Sequence, residues 1–497
     1  MSLISISNLT FAYDGSYDNI FTDVSFQIDT DWKLGFCGRN GRGKTTFLKL
    51  LMGQYEYSGK ISASVEFEYF PFAVANPSQN TLDILTAIAP DAFHWQIQKE
   101  LSKLSVSENV LYRPFSTMSN GEQTKTLLAG IFLRENSFLL IDEPTNHLDM
   151  AAREMVAQYL NGKNGFIVVS HDRTFLDECI DHVLSINKSN IEIQSGNFSS
   201  WWHNKQMQDE YEMAQNERLR KEISHLEAAA RRTAKWSDKA ERSKIGIDPN
   251  KVDNKKGYAP KQAAKSKKMM ARSKAIQDRQ QSSIEEKSKL LKNIETSDTL
   301  KLRPLAYHTS RLLFIENLSV AYDGQNVFRD MTFSIHQGER VALVGGNGCG
   351  KSSLIRLICG DDIPYSGTAM LGSRLIISYV PQDASFLMGD LNEYAVEQQI
   401  DETLFKTILS KLDLSQTQFD KDMRDYSAGQ KKKVLIARSL CEQAHLYIWD
   451  EPLNYIDVLS RMQIEELILT YKPTLLFVEH DRAFCRNIAT TTIEYKK

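Results

Sequence analysis

Most of the chain is patterned in short apolar runs that end at turn or charged residues. "KLGFC" at 33–37 and "RVALV" at 340–344 each run into a glycine-rich turn, and a helical pattern follows. "FLLIDEP" (138–144) and "LYIWDEP" (446–452) are continuous apolar runs that end in two acids. Short apolar runs also precede His171 and His480. Runs of this length, apolar on both faces, are what buried parallel strands look like, and with intervening helices they predict an α/β fold. In such sheets ligands bind beyond the carboxyl ends of the strands, which is where these acids and histidines fall.

One region is patterned differently. Residues 205–244 place apolar or small residues at Met207, Tyr211, Ala214, Leu219, Ile223, Leu226, Ala230 and Ala234, mostly three to four apart. Residues 261–297 do so more sparsely at Met269, Ile276, Ile284, Leu291 and Ile294. Both read as amphipathic helices with a narrow apolar seam. "IGIDPN" and "KKGYAP" break the pattern between them, so the pair predicts a helical hairpin with its tip near 245–258. About 40 residues per helix would make an arm of roughly 60 Å.

The rest of the chain is written twice. "FCGRNGRGKTTFLKLL" at 36–51 returns as "LVGGNGCGKSSLIRLI" at 343–358, and "VVSHDRTF" at 168–175 returns as "FVEHDRAF" at 477–484. The spacing repeats as well: 98 residues from Lys44 to Asp142 against 99 from Lys351 to Asp450. The expected organisation is a first α/β domain at 1–203, the helical linker at 204–303, and a second α/β domain at 304–497.

Each copy contains a P-loop. Gly38, Arg39, Asn40, Gly41, Arg42, Gly43, Lys44, Thr45 and Thr46 form one. Gly345, Gly346, Asn347, Gly348, Cys349, Gly350, Lys351, Ser352 and Ser353 form the other. The glycines let backbone N–H groups turn inward around phosphate, and the following helix N-terminus favours the anion. Lys44 and Lys351 would reach the β- and γ-phosphates, and Thr45 and Ser352 would hold Mg²⁺. Asp142 and Asp450 fit as Mg²⁺ partners, and Glu143 and Glu451 as bases that polarise the attacking water. His171 and His480 fit as γ-phosphate contacts. ATP and Mg²⁺ are therefore the expected substrate and cofactor.

"FSTMSNGEQTK" (115–125) and "YSAGQKKK" (426–433) place a serine, small residues and glycine at the start of a helix. With these, the sequence resembles the ATP-binding cassette (ABC) ATPases, over nearly everything outside the linker. The resemblance implies that Tyr13 and Tyr322 stack on adenine, and that Gln382 in "YVPQ" contacts Mg²⁺ and water. It further implies head-to-tail pairing of the two cassettes. The first P-loop would face Ser427, Ala428, Gly429 and Gln430, and the second would face Ser119, Asn120, Gly121 and Glu122. The chain departs from the family pattern at Phe72, which takes the place of the glutamine in the first copy, and at Asn120 and Ala428, where glycine is usual. A phenyl ring neither ligates Mg²⁺ nor orients water, so the first site is expected to bind ATP but to hydrolyse it slowly.

Composition sharpens this. No run approaches the roughly 18–20 apolar residues of a bilayer span, and the start "MSLISISNLTFAYDG" lacks the layout of a secretory signal. The six cysteines are scattered without a C-x-x-C pair, which reads as reduced, buried thiols and a cytoplasmic protein. Charge is unevenly divided. Residues 205–303 carry 25 Lys/Arg against 15 Asp/Glu, a net of +10, which leaves −13 for the rest. A basic arm on an acidic body suits nucleic acid, because basic side chains release counterions from phosphate.

"EPTNHLD", "GNFSSWW" and the basic insert resemble the ABC-F class, whose tandem cassettes act on ribosomes. Only about 40 residues separate Phe72 from Arg113, too few for the extra arm of many translation factors in that class. "ERSKIGIDPN", "RPFS" and "YIWDEPLNYID" look close to its antibiotic-resistance branch. The partners so implied are the bacterial 70S ribosome, its 23S rRNA near the peptidyl-transferase centre, and E- or P-site tRNA. The protein would be a monomer without a membrane domain, its cassettes paired within one chain. The alternatives are an ABC-F translation factor with no resistance role, and the ATPase subunit of a transporter.

Overall fold

A computed structural model describes residues 2–14, 19–146, 148–187, 190–245, 275–276, 279, 300–322, 325–346 and 348–495. The chain divides into two compact units, one formed by Met1–Trp201 with Ser297–Lys497, the other by Trp202–Thr296. The first unit contains both α/β copies.

Each copy is built on a parallel sheet. In the first the strand order is Glu66–Phe70, Ser137–Asp142, Phe166–Val169, Lys33–Cys37, His182–Asn187 and Asn190–Ser195, the last pair antiparallel. In the second it is Ile377–Val380, Leu446–Asp450, Leu475–Val478, Arg340–Val344 and Thr491–Glu494, all parallel. The strands "FIVV" and "LLFV" are buried at every position, and their inner neighbours at nearly every one. That is why they read as unbroken apolar runs rather than alternating ones. An antiparallel three-stranded sheet packs beside each: Leu3–Phe11 between Phe21–Asp29 and Ser58–Ser62, and Arg311–Tyr322 between Gln325–His336 and Tyr365–Leu371.

Between the second sheet strand and the motif at Ser119 lie only two helices, Thr81–Ile88 and His94–Lys103, with short 3₁₀ turns. The second copy has Leu391–Glu397, Glu402–Lys411 and the single turn Gln416–Phe419 in the same stretch. Leu300 and Leu302, assigned from sequence to the linker, are buried in the second copy's core with Leu391 and Phe405.

The linker begins as one helix, Phe198–Ile245, of 48 residues. Among the described side chains its less exposed positions beyond Trp201 are Trp202, Lys205, Asp209, Glu212, Asn216, Leu219, Ile223, Leu226 and Ala229, a three–four alternation from Trp202 to Leu226. The expected seam is right at Leu219, Ile223 and Leu226 but wrong nearer the start, where Met207, Tyr211 and Ala214 are exposed. The heptad register that runs back from Leu219 lands on Asn216, Glu212, Asp209 and Lys205, so there the seam is polar and the apolar residues lie beside it. Ala230 and Ala234, the tip at 246–258 and nearly all of the expected second helix lie outside the described residues and side chains; Ile276, expected in the second seam and described, is exposed. Four cysteines, Cys37, Cys179, Cys349 and Cys485, are buried as expected, while Cys359 and Cys441 are only half-buried.

Candidate nucleotide sites

Each P-loop follows an inner strand of its sheet, Lys33–Cys37 or Arg340–Val344, and caps the next helix, Lys44–Leu51 or Lys351–Cys359. The caps, Gly43 and Gly350, adopt φ of 93° and 95°. A Cβ there would come within 2.6 Å of Ile20 or 2.4 Å of Val327, so glycine is required by conformation and by space. The lysines are buried and fold back over their own loops. Lys44 Nζ donates to Gly38 O at 2.7 Å and Arg39 O at 3.1 Å, and Lys351 Nζ to Gly345 O at 2.8 Å and Gly346 O at 2.9 Å. Burial lowers the Lys44 pKa against the pull of Asp457 from the other copy.

A cavity lies at each P-loop, between the copies and head to tail. One, of about 510 Å³, joins Asn40, Gly41, Gly43–Thr46, Asp142, Glu143 and His171 to Ser427, Ala428, Gly429 and Tyr455. The other, of about 1150 Å³, joins Gly346, Gly348–Ser353, Gln382, Glu451 and His480 to Ser119, Asn120, Gly121 and Glu122. Gly38, Arg39, Arg42, Gly345, Gln430 and Asp450 do not line them, and Asn347 lies outside the described residues. Gln430 and Glu122 are turned back as capping boxes. Gln430 Oε1 accepts from Ser427 N at 2.9 Å, and Glu122 Oε2 from Ser119 N at 3.0 Å. Arg113 also pairs with Glu122. These caps fix the helices Asn120–Ile131 and Ala428–Cys441 with their N-termini at the cavities, where N–H groups suit an anion.

Tyr13 lines the first cavity, and its hydroxyl meets Thr46 Oγ1 at 2.7 Å. Tyr322 does not line the second; its hydroxyl donates to Ser353 Oγ at 3.2 Å. Both rings are 42 % exposed.

The acids sit where the strands end. Asp142 Oδ2 accepts from Thr45 Oγ1 and from Tyr69 OH, each at 2.9 Å. In the second copy Asp450 is buried, which raises its pKa against hydrogen bonding from Ser352, and its Oδ1 has no partner. A carboxylate beside a hydroxyl, with an oxygen unspent in a buried site, fits a hard cation that takes its remaining ligands from phosphate and water. Among the described residues there is no cluster of three or more acidic, histidine or cysteine ligands. Mg²⁺ held with ATP needs only one or two carboxylates.

Glu143 and Glu451 both lie in the left-handed region, at φ 52° and 47°. Residues other than glycine are held there only when the surroundings over-determine them. His171 Nε2 lies 3.0 Å from Glu143 Oε1, and His480 Nε2 lies 3.4 Å from Glu451 Oε1. The surroundings then diverge. Glu451 Oε2 accepts from Gln382 Nε2 at 2.9 Å and Asn454 Nδ2 at 2.6 Å. Burial raises its pKa, but the hydrogen bonds from His480 and Gln382 and the charge of Lys351 hold it down at about 2. Burial and the adjoining Asp142 push Glu143 up to about 8. Burial, with the charge of Lys44 nearby, lowers the His171 pKa well below the ordinary imidazole value.

Sequence reasoning missed several of these contacts. Tyr69 opens the same "YFPF" motif that ends at Phe72, and its match Tyr379 opens "YVPQ", a signal that was available. The buried pair Lys433–Asp457 at 3.1 Å gave none, since its members lie in different motifs, and Asn454, only three residues beyond Glu451, was passed over although it stands in the quoted run "DEPLNYID".

The family model described as ABC transporter matches residues 21–146 and 328–454. The chain therefore belongs to the ABC family, as an ABC-F ATPase with tandem domains. Among curated relatives it is 27% identical over 489 residues to the ribosome protection protein VmlR of Bacillus subtilis, covering 97% of this chain and 84% of that one. It is 24% identical over 531 residues to the energy-dependent translational throttle protein EttA of Haemophilus influenzae, covering 96% and 89%. Among solved structures the RNase-L inhibitor shares the fold with a TM-score of 0.62 at 18% identity, over 99% of this chain and 88% of that one. No helix among the described residues is long and apolar enough to cross a membrane.

Proposed function

We propose that this ATPase binds the bacterial 70S ribosome at the E site and protects it from antibiotics of the peptidyl-transferase centre: lincosamides, streptogramin A and pleuromutilins. It would act in the cytoplasm, as a monomer. The observation that carries the reading is the net +10 insert between cassettes that together carry −13. A basic element inserted between two ATP-gated halves presents an rRNA-binding surface whose position follows the nucleotide. The relative named for ribosome protection, at 27% identity, and the short stretch between Phe72 and Arg113 support the resistance role over that of a translation factor.

In this reading Glu143 and Glu451 are the general bases, each orienting water against the terminal phosphate, with His171 and His480 beside them. Lys44 and Lys351 leave their loop carbonyls to bind phosphate. Thr45 with Asp142, and Ser352 with Asp450 and Gln382, would hold Mg²⁺, which when bound offsets charge on the phosphates. Ser119, Asn120 and Gly121, and Ser427, Ala428 and Gly429, close each site from the opposite cassette, so ATP favours the joined state and hydrolysis releases it.

The experiment is twofold. Protein trapped with ATP should pellet with 70S ribosomes, and its expression should permit growth on a lincosamide or pleuromutilin. Pelleting without growth would leave the translation-factor reading; the absence of both would remove the ribosome as partner.

A further inference from the structure

The two nucleotide sites differ in what crosses the interface beside the phosphate loop. In the first, Arg39 Nη1 lies 3.6 Å and Arg42 Nη2 3.9 Å from Asp413 Oδ1 of the second cassette. These side chains are partly buried, with 11%, 34% and 26% of Arg39, Arg42 and Asp413 exposed. Asp413 follows the helix Glu402–Lys411, in the left-handed turn that ends it, at φ 64°.

The repeat shows what the other site has instead. "LSKLS" at 101–105 matches "LSKLD" at 409–413, so Ser105, itself at φ 50°, stands where Asp413 does. Gly346 and Cys349 stand where Arg39 and Arg42 do. Both ends of the contact have changed together, and neither glycine, cysteine nor serine can rebuild it. A second crossing reinforces the first: Asn40 Nδ2 donates to Tyr455 O at 2.8 Å. None of these contacts uses a phosphate. The carboxylate is shared by two guanidinium groups, and such a network spreads the cost of ordering long side chains, though burial still raises the Asp413 pKa against the pull of both arginines.

We infer that Asp413, with Arg39 and Arg42, is an inter-cassette clasp that keeps the first nucleotide site shut longer than the second, so that nucleotide leaves the two sites at different rates. This rests on the ATPase assignment and deepens it. Asp413 is a positioning residue: it touches the loop, not the reacting atoms. The site that has lost its glutamine to Phe72 is the one so held, which suits a site that retains nucleotide while the other turns over.

The test is release of a fluorescent, non-hydrolysable ATP analogue from the full-length protein with Mg²⁺, chased with ATP in a stopped-flow instrument. Two phases are expected. Lys44→Ala should remove the slow one and Lys351→Ala should keep it. Asp413→Ser, the residue that the other copy carries in the same turn, should speed the slow phase roughly five- to thirtyfold and leave the fast one alone. Asp413→Glu should restore slow release, which a purely structural role would not predict. Raising salt from about 0.1 M to about 1 M should narrow the gap in the natural protein and not in Asp413→Ser. A single release rate, a slow phase that survives Asp413→Ser, or one lost with Lys351 instead of Lys44 would overturn the clasp alone. Failure of the analogue to bind would overturn the ATPase assignment and the clasp with it.

Discussion

Gln382 donates to Glu451 across 2.9 Å, and the matching place in the first copy holds Phe72. The two glutamates therefore share a backbone conformation but not a set of donors. Glu451→Gln is expected to cut steady-state ATPase by about tenfold or more, in keeping with loss of a general base, and Glu143→Gln by only about two- to threefold. Equal losses in the two variants would remove the asymmetry.

Changing both glutamates to glutamine should preserve ATP binding while hydrolysis stalls. Joined cassettes would then accumulate, and pelleting with ribosomes would persist for longer after ATP is withdrawn. Turnover at the natural rate in the double variant would show that neither residue is the base.

Gly429 tests the closure itself. A Cβ there would meet Tyr455 O of its own cassette at 2.5 Å and, across the interface, Asn40 Nδ2 at 3.4 Å. Alanine is the better helix former by up to about 1 kcal/mol, but here it forces the Tyr455 backbone to shift, and with it the oxygen that accepts from Asn40 across the interface, so the first site closes less well. Gly429→Ala should slow ATPase about tenfold or more. Unchanged ATPase would mean that the close approach is not needed.

Glu100 supplies a pH dependence remote from either site. It is buried, and it accepts from Tyr159 OH at 2.6 Å and from Lys163 and Lys103 at 2.7 Å, tying the helix His94–Lys103 to Met150–Asn161. Burial opposes its charge, but these donors outweigh it and hold the pKa at about 2, below the ordinary carboxylate value. A carboxyl whose folded pKa is depressed stabilises fully above its unfolded pKa and loses that contribution as pH falls through the folded one. Glu100→Gln should cost roughly 2–3 kcal/mol at pH 7 by urea denaturation, and the difference should shrink as the pH is lowered from about 4.5 towards 2.

Replacing residues 245–258 with a short Gly/Ser turn touches no P-loop, capping serine or carboxylate. ATPase should continue, and pelleting with ribosomes should weaken only in part, because Arg231, Arg232, Lys265, Lys267, Lys268 and Arg272 remain. Growth on the drug should be lost. Full resistance would reduce the tip to a connector.

How much of this could be read beforehand depended on how local the cause was. Strands buried on both faces announced themselves as apolar runs, and the glycines at 43 and 350 as a spaced motif, because each is dictated by its own few residues. The head-to-tail cavities were expected from a resemblance, since no run of sequence states which cassette faces which loop. The linker helix was legible, but its seam was misplaced at Met207 and Tyr211: the choice of register depends on which face is covered, not on which residues are apolar. Asp413 was invisible for a similar reason, since its partners lie more than 370 residues away.

The paired differences between the copies bear on engineering. Thr145 and Ser170 share a hydroxyl–hydroxyl contact at 3.1 Å in the first cassette. The second has Leu453 and Glu479 in those places, and there the carboxylate accepts from the Leu453 backbone at 2.7 Å. Contacts have been rewritten two residues at a time, so a segment moved from one cassette into the other carries half a contact with it. Chimeras of the two halves will work only where both members of such pairs travel together, and the cassettes, alike in outline, are no longer interchangeable parts.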